Sequence, residues 1–489
     1  VLSAVLLGTL TLIGAPGALL LRRYLDASLV STPIIGMAVF QIAAWYILDH
    51  TSIGIDPIVL PLLILSTVVA ALVWWRSRTR EEHDALGADR RLRVTMLLTA
   101  IFSSLVVLFQ ARNLLGLGHL TVASLGNVDL PDYSAVADLF SSDGFDADGS
   151  IVGTDLGERG RTDVTGAYAL LAYSVSVTGR HPWQVFVPMA LVATILLTQS
   201  IARLFVRRTE LPAYLIALIA NVGITAPFFQ YVMWQNYLSQ LLGMAVAPLL
   251  FLLICEVMDR LGAPRSERLA HLAMLALVFV FLLFTYPHMF FLLPPVAILA
   301  VALSFDETPM NFARIVRAVA AVAVAGGMAL LVVPVRAWLA LERFLFLRHQ
   351  LAGWEQEPFT PTDLFGLTGW IGDHATWGLV LHGFSGPTRW GSVLLSAFLV
   401  VEALRLSQRM WRHKERRWRL PVTGMIVAIL GTYIIFVAIA GGVGYRQWKW
   451  ISYFQPMLVA LLIVPFLGWI VGRRRSHRPG WSGTIFAVA

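Results

Sequence analysis

Two groups of residues in this 489-residue chain have the types and spacing to do chemistry. The first lies between Gly126 and Phe145, where Asp129 and Asp132 flank Pro131 ahead of a patterned segment. Proline is favoured in the first turn of a helix, and an aspartate beside it can cap the exposed N–H groups. From Tyr133 the pattern becomes amphipathic: Tyr133, Val136, Ala137 and Phe140 recur on one face at a 3.6-residue period. The expectation is a short helix on a membrane surface, with a carboxylate held at its start between lipid and water. The second group is Arg446 and Lys449, three residues apart within Gly441–Tyr453 and entering a long apolar run. On a helix they share a face. A cation entering a membrane segment is costly without a partner, and a lipid phosphate is a natural one. Snorkelling of both side chains to bulk headgroups is the plain alternative.

The spacing of Asp129, Tyr133, Val136, Ala137 and Phe140, followed by Ser142-Asp143-Gly144-Phe145, resembles the first outer loop of the GT-C superfamily. These are integral-membrane glycosyltransferases that use polyprenyl-phosphate sugars. The late pattern from Tyr445 to Lys449, Tyr-x-x-x-Lys, is similar to members of the same superfamily. The resemblance implies that Asp129 is catalytic. The family often has a second acid directly after the first; this chain has Leu130 there, so Asp132 stands as the other candidate. Transfer from a lipid-phosphate sugar to a hydroxyl needs a base for the hydroxyl proton and stabilisation of the departing phosphate. Lys449 and Arg446 are the candidates for the phosphate. His288, in Tyr286-Pro287-His288 between two apolar segments, could donate to it as well, and Arg336 and Arg343 are weaker candidates. Tyr133, with Gln235 and Asn236 from the polar run 230–240, is a candidate for sugar or acceptor contact.

The first long loop also invites a metal. Asp146, Asp148 and Asp155, with the residues between, match several positions of a calcium loop. The first position, normally Asp, is Gly144, with Asp143 one residue out of register. A flexible acidic loop is the simpler reading, and calcium is a possible cofactor only.

The elements that must position these residues are membrane helices. The chain is 57% hydrophobic and 13% charged, where soluble domains average about 45–50% and about 25%. A soluble fold, a disordered chain and a disulfide scaffold are excluded, the last because Cys255 is the single cysteine. Spans need about 20 mainly apolar residues. Thirteen stretches fit, running from 1–21 to 455–472 and including 211–229, 288–305, 318–337 and 391–404. Segment 1–21 lacks a small-residue cleavage site and is read as a span rather than a signal peptide. Of the 37 Lys and Arg residues, 27 fall in alternate loops assigned to one side. The positive-inside rule puts that side in the cytoplasm. The N-terminus and the long loops 113–181 and 338–390 then face outward. The first is acidic; the second carries Trp354, Trp370, Trp377 and Trp390, which suit interfacial anchoring. A net charge of +8 explained by inward basic loops gives no reason to expect nucleic acid.

No phosphate-binding GxxxxGK[ST] loop, HExxH motif or catalytic cysteine occurs, and the spans lack paired carboxylates of the proton-relay kind. The expected architecture is an all-α polytopic protein of about 13 spans, with two long outward loops carrying short surface helices. It divides into 1–93, a core 94–337, the loop 338–390 and C-terminal helices 391–489. The scarcity of lysine, two residues against 35 arginines, fits a GC-rich bacterial genome, and the expected location is a bacterial plasma membrane. The expected function is transfer of one sugar from a polyprenyl-phosphate donor to a cell-envelope glycan, lipid or protein on the outer face. The alternative is a transporter or flippase of a lipid-linked saccharide, which would need the basic residues but no outer carboxylate.

Overall fold

The computed structural model describes residues 1–21, 31–78, 86–110, 129–145, 150–151, 154–226, 229, 232–233, 237–260, 262–303, 312–349, 387–412, 422–440 and 445–476. They form seventeen α-helices and one small antiparallel strand pair, Ser150–Ile151 (β1) with Thr154–Asp155 (β2). The chain is an all-α polytopic membrane protein. Among the described residues, ten helices are long and apolar enough to cross a membrane.

The expected thirteen spans are too many for the described residues. Within 211–226 the helix is short, Ala213–Val222 (α9), and tightens into a 3-10 turn over Gly223–Thr225. There the chain presses on the backbone of Pro456, and a Cβ at Gly223 would collide with it. Residues 288–305 form Pro287–Ala302 (α12), sixteen residues long and carrying Pro294 and Pro295. Residues 391–404 lie within Pro387–Arg412 (α15), whose second half is charged and which is not one of the ten. The remaining ten stretches correspond to the ten helices. The expected span 318–337 stops at Val332, where Phe312–Val332 (α13) gives way to a separate helix, Pro334–His349 (α14).

Pro182–Arg208 (α8) and Leu238–Asp259 (α10) are buried along nearly their whole length and form the centre. Around them stand Leu2–Leu21 (α1), Ser31–His50 (α2), Asp56–Arg78 (α3), Leu86–Gln110 (α4), Arg265–Thr285 (α11), Val422–Ala440 (α16) and Tyr445–Ser476 (α17). The outer faces of α3 and α4 expose Leu60, Leu65, Trp75, Leu97, Leu105 and Phe109, which water would not favour and lipid does. Helix association in lipid rests on close packing and interhelical hydrogen bonds. Both devices are present. Gly14 and Gly36 let α1 and α2 touch backbone to backbone, because a Cβ on either would strike a carbonyl of the other helix. Ser103 of α4 bonds Thr198 of α8 at 2.6 Å and Asn221 of α9 at 2.8 Å, all three buried.

Ion pairs and loop contacts gather at two ends. At one, Arg208 pairs with Asp259 at 2.7 Å, Arg260 pairs with Glu267, Arg203 reaches Ser31, and Arg91 donates to the Thr209 carbonyl at 3.0 Å. At the other, the first long loop folds onto the turn between α2 and α3. Ile55 N–H donates to the Phe140 carbonyl at 2.8 Å and Phe145 N–H to the Leu48 carbonyl at 3.1 Å. These contacts join segments that the charge alternation assigns to the same side.

Candidate functional site

The first long loop supplies three helices: Asp129–Ser142 (α5), Leu156–Thr162 (α6) and Thr165–Thr178 (α7). Helix α5 begins at Asp129, with Pro131 in its first turn. Its patterned face is buried: Tyr133 is 6% exposed, and Val136, Ala137 and Phe140 are fully covered. The cover is protein rather than lipid, which corrects the expected surface helix. Tyr133 and Phe140 pack on Tyr168 of α7, and Tyr133 meets Phe186 of α8 edge-on. Gly160 lets α6 approach Phe140 and Val136, whose side chains occupy the space a Cβ would need. A face this apolar buries against whatever is nearest, and two neighbouring loop helices reach it before lipid can.

The carboxylates divide. Asp129 opens α5, while its side chain lies outside the described residues. Asp132 pairs with Arg159 of α6 at 2.6 Å, both side chains about a third exposed. Asp49 at the end of α2 pairs with Arg161 at 2.9 Å, and Asp163 with Arg343 of α14 at 3.1 Å. Tyr168 donates to Asp163 at 3.3 Å, and burial together with the Asp163 charge raises its phenol well above its ordinary range, so it remains a neutral donor. Asp146 and Asp148 lie outside the described residues. Asp155 caps α6, accepting from the Glu158 N–H at 3.0 Å. Among the described residues no group of three metal-ligating side chains occurs.

The cations also divide. Arg336 is fully buried and donates to four carbonyls, those of Leu283, Arg161, Thr162 and Asp163, at 2.6–3.3 Å. Three of these are the orphan acceptors at the C-terminal end of α6. Arg336 is therefore a clamp on backbone, and its guanidinium is committed there rather than to a phosphate. Burial lowers its pKa to about 10, partly offset by the Asp163 charge, which leaves it protonated at neutral pH. Lys449, half-buried on α17, lies over the rings of Tyr237 at 5.1 Å and Tyr286 at 5.9 Å. Such cation–π contacts hold an ammonium without neutralising it. Arg446 belongs to the first turn of α17, its side chain outside the described residues. Tyr286 stacks on His288 at 5.2 Å and on Tyr453 at 6.1 Å. The Nδ1 of His288 is buried, with no hydrogen-bond partner among the described residues.

One turn joins the two groups of chemical residues. Tyr237, Ser239 and Gln240 stand at the start of α10. Tyr133 of α5 donates to Ser239 at 2.8 Å, while Gln240 donates to Ser452 of α17 at 2.9 Å and Tyr237 carries Lys449 on its ring. Tyr133, Lys449 and His288 are thus linked through α10 and Tyr286. Tyr133 spends its hydroxyl on Ser239, which leaves its expected sugar contact untested. Gln235 and Asn236 fall outside the described residues, as do Gln230, Trp234, Trp354, Trp370 and Trp377.

Several residues of this end had no individual role in the sequence reading: Arg159, Arg161 and Asp49 in the ion pairs, and Ser239 and Tyr453 in the aromatic turn. Arg159 and Arg161 carried one usable signal. They are basic residues in an outward, acidic loop, where charge alternation disfavours them and neighbouring acids can hold them. Compared with known proteins, the chain matches no family model and no curated protein.

Proposed function

We propose that this chain is a membrane glycosyltransferase that moves one sugar from a polyprenyl-phosphate donor to a hydroxyl of a cell-envelope glycan, lipid or protein on the outer face of a bacterial plasma membrane. The observation that carries the reading is the first turn of α10, which ties the acid-bearing helix α5 to the Lys449 cluster at one end of the bundle. A carboxylate helix and a cation seated among aromatic rings are the two halves that such a transfer needs. The acceptor oxygen bonds to the sugar's anomeric carbon, its proton passes to the Asp129 carboxylate, and polyprenyl phosphate leaves with the electron pair of the broken bond. Lys449 holds the developing phosphate charge, with Arg446 and His288 beside it in role. Asp132 is the second candidate for the base; its pairing with Arg159 favours a held carboxylate, so Asp129 is preferred.

The test replaces Asp129 and Asp132 separately by Asn and measures sugar transfer in proteoliposomes supplied with donor and acceptor. Loss of a general base costs about 10²–10⁴-fold. That loss is expected for Asp129→Asn, with a smaller one for Asp132→Asn. Transfer undiminished in both variants removes the base assignment.

A further inference from the structure

Helix α14 presents a second cation to the same end. Arg336 and Arg343 are seven residues apart, two helical turns, and so share a face of α14. That face looks onto the junction of α11 and α12. Arg336 donates to Leu283 at the end of α11, and Phe344 packs on Phe291 with ring centroids 4.8 Å apart. Phe291 is three residues beyond His288 and shares its face of α12. Arg343 is therefore carried toward His288, and the positive charges that reach this imidazole are those of Lys449, Arg343 and Arg336. The buried Nδ1 of His288 has no hydrogen-bond partner among the described residues, and an orphaned buried polar atom in a positive field calls for an anion. Arg336 is committed to backbone carbonyls. Arg343 is held differently: it pairs with Asp163 at 3.1 Å, both side chains partly exposed, an arrangement that an incoming anion can displace at small cost.

We propose that Arg343 is a ligand of the anion that Lys449 and His288 bind, a lipid-borne phosphate, and that Asp163 holds Arg343 until that anion arrives. The inference rests on the reading of this end as a phosphate site and adds an exchange to it. Arg343 leaves Asp163 and makes charge-assisted hydrogen bonds to the phosphate, and it returns when the phosphate departs.

The experiment uses the full chain in phosphatidylcholine nanodiscs. It measures binding of polyprenyl monophosphate, with the matching polyprenol and inorganic phosphate as competing probes. The wild type is expected to bind the lipid phosphate and not the polyprenol, with inorganic phosphate competing only weakly. Replacing one partner of a charge-assisted hydrogen bond costs about tenfold or more in affinity, which is the weakening expected for Arg343→Gln. Asp163→Asn keeps the backbone carbonyl that Arg336 uses, and it is expected to tighten binding about threefold or more by freeing Arg343. A merely structural role for the pair would weaken binding in both variants, so the opposite signs are diagnostic. If Arg343→Gln does not elute as a folded monodisperse species, Asp163→Asn decides alone. Wild-type affinity in both variants, alongside loss in Lys449→Gln, overturns the role of Arg343 and leaves the phosphate site standing. Wild-type affinity in Lys449→Gln as well, or no binding by the wild type, overturns the site and the exchange together. Inorganic phosphate competing as strongly as the lipid overturns the lipid-borne source.

Discussion

Lys449 shows how the proposed site handles charge. Its ammonium sits against Tyr237 and Tyr286, which shield it from lipid while leaving its positive field in place for a phosphate. Lys449→Gln is expected to lower kcat/KM for the donor by about 10²-fold or more, since a cation aimed at a developing charge is among the largest catalytic contributions. Lys449→Arg should recover part of it, because the charge is kept but the planar group cannot sit over the rings in the same way. Steady-state kinetics with donor varied at saturating acceptor separates the two. The position of this lysine in a helical entry to an apolar run was legible in the sequence. Its aromatic bed was not, because Tyr237 and Tyr286 lie more than a hundred residues away and no local pattern points from one to the other.

The elements that hold the site are small and pinned by charge. Helix α6 has only seven residues, too few to be stable alone, and its burial is partial. Its order comes from the cap at Asp155, the pairs Arg159–Asp132 and Arg161–Asp49, and the Arg336 clamp on its last carbonyls. Arg336→Met removes the clamp and strands those acceptors in a buried place, with an expected loss of about 2–4 kcal/mol. Thermal unfolding in detergent is expected to show it as a lowered Tm, whereas Arg180→Met, at an exposed position just after α7, should leave Tm unchanged. Periodicity alone located α5 and its buried face from Tyr133 to Phe140. What covers that face was beyond the sequence, since Gly160 and Tyr168 become its partners only after the loop has folded back. Arg336 was misjudged for the same kind of reason. A basic residue at the edge of an apolar stretch looks available for an anion until backbone carbonyls, which carry no sequence signature, take up its donors.

The whole molecule is two polar ends joined by apolar helices, and the proposal depends on which end faces outward. Alternation of Arg and Lys assigns α5, α6 and the Lys449 turn to the outer face. With Cys255 the single cysteine and buried, a Cys255→Ser background allows new cysteines to be placed at will. A cysteine at Glu158 is expected to react with a membrane-impermeant maleimide in intact cells, and one at Glu210 only after permeabilisation. The reverse pattern would turn the site toward the cytoplasm. The all-helical class was legible from hydropathy, and ten of the expected spans match long apolar helices. The excess arose at 211–229 and 288–305, where the helices α9 and α12 run ten and sixteen residues, and at 391–404, where the second half of α15 is charged.

The central claim is that the bond between sugar and phosphate is broken at this end of the bundle. The most direct measurement supplies proteoliposomes of the purified chain with a polyprenyl-phosphate sugar labelled in both sugar and phosphate, together with an envelope glycan acceptor. Labelled polyprenyl phosphate is expected to be released in step with labelled acceptor, dependent on the acceptor and lost in Asp129→Asn. Movement of the intact doubly labelled lipid between leaflets, with no cleavage under any acceptor, would contradict it.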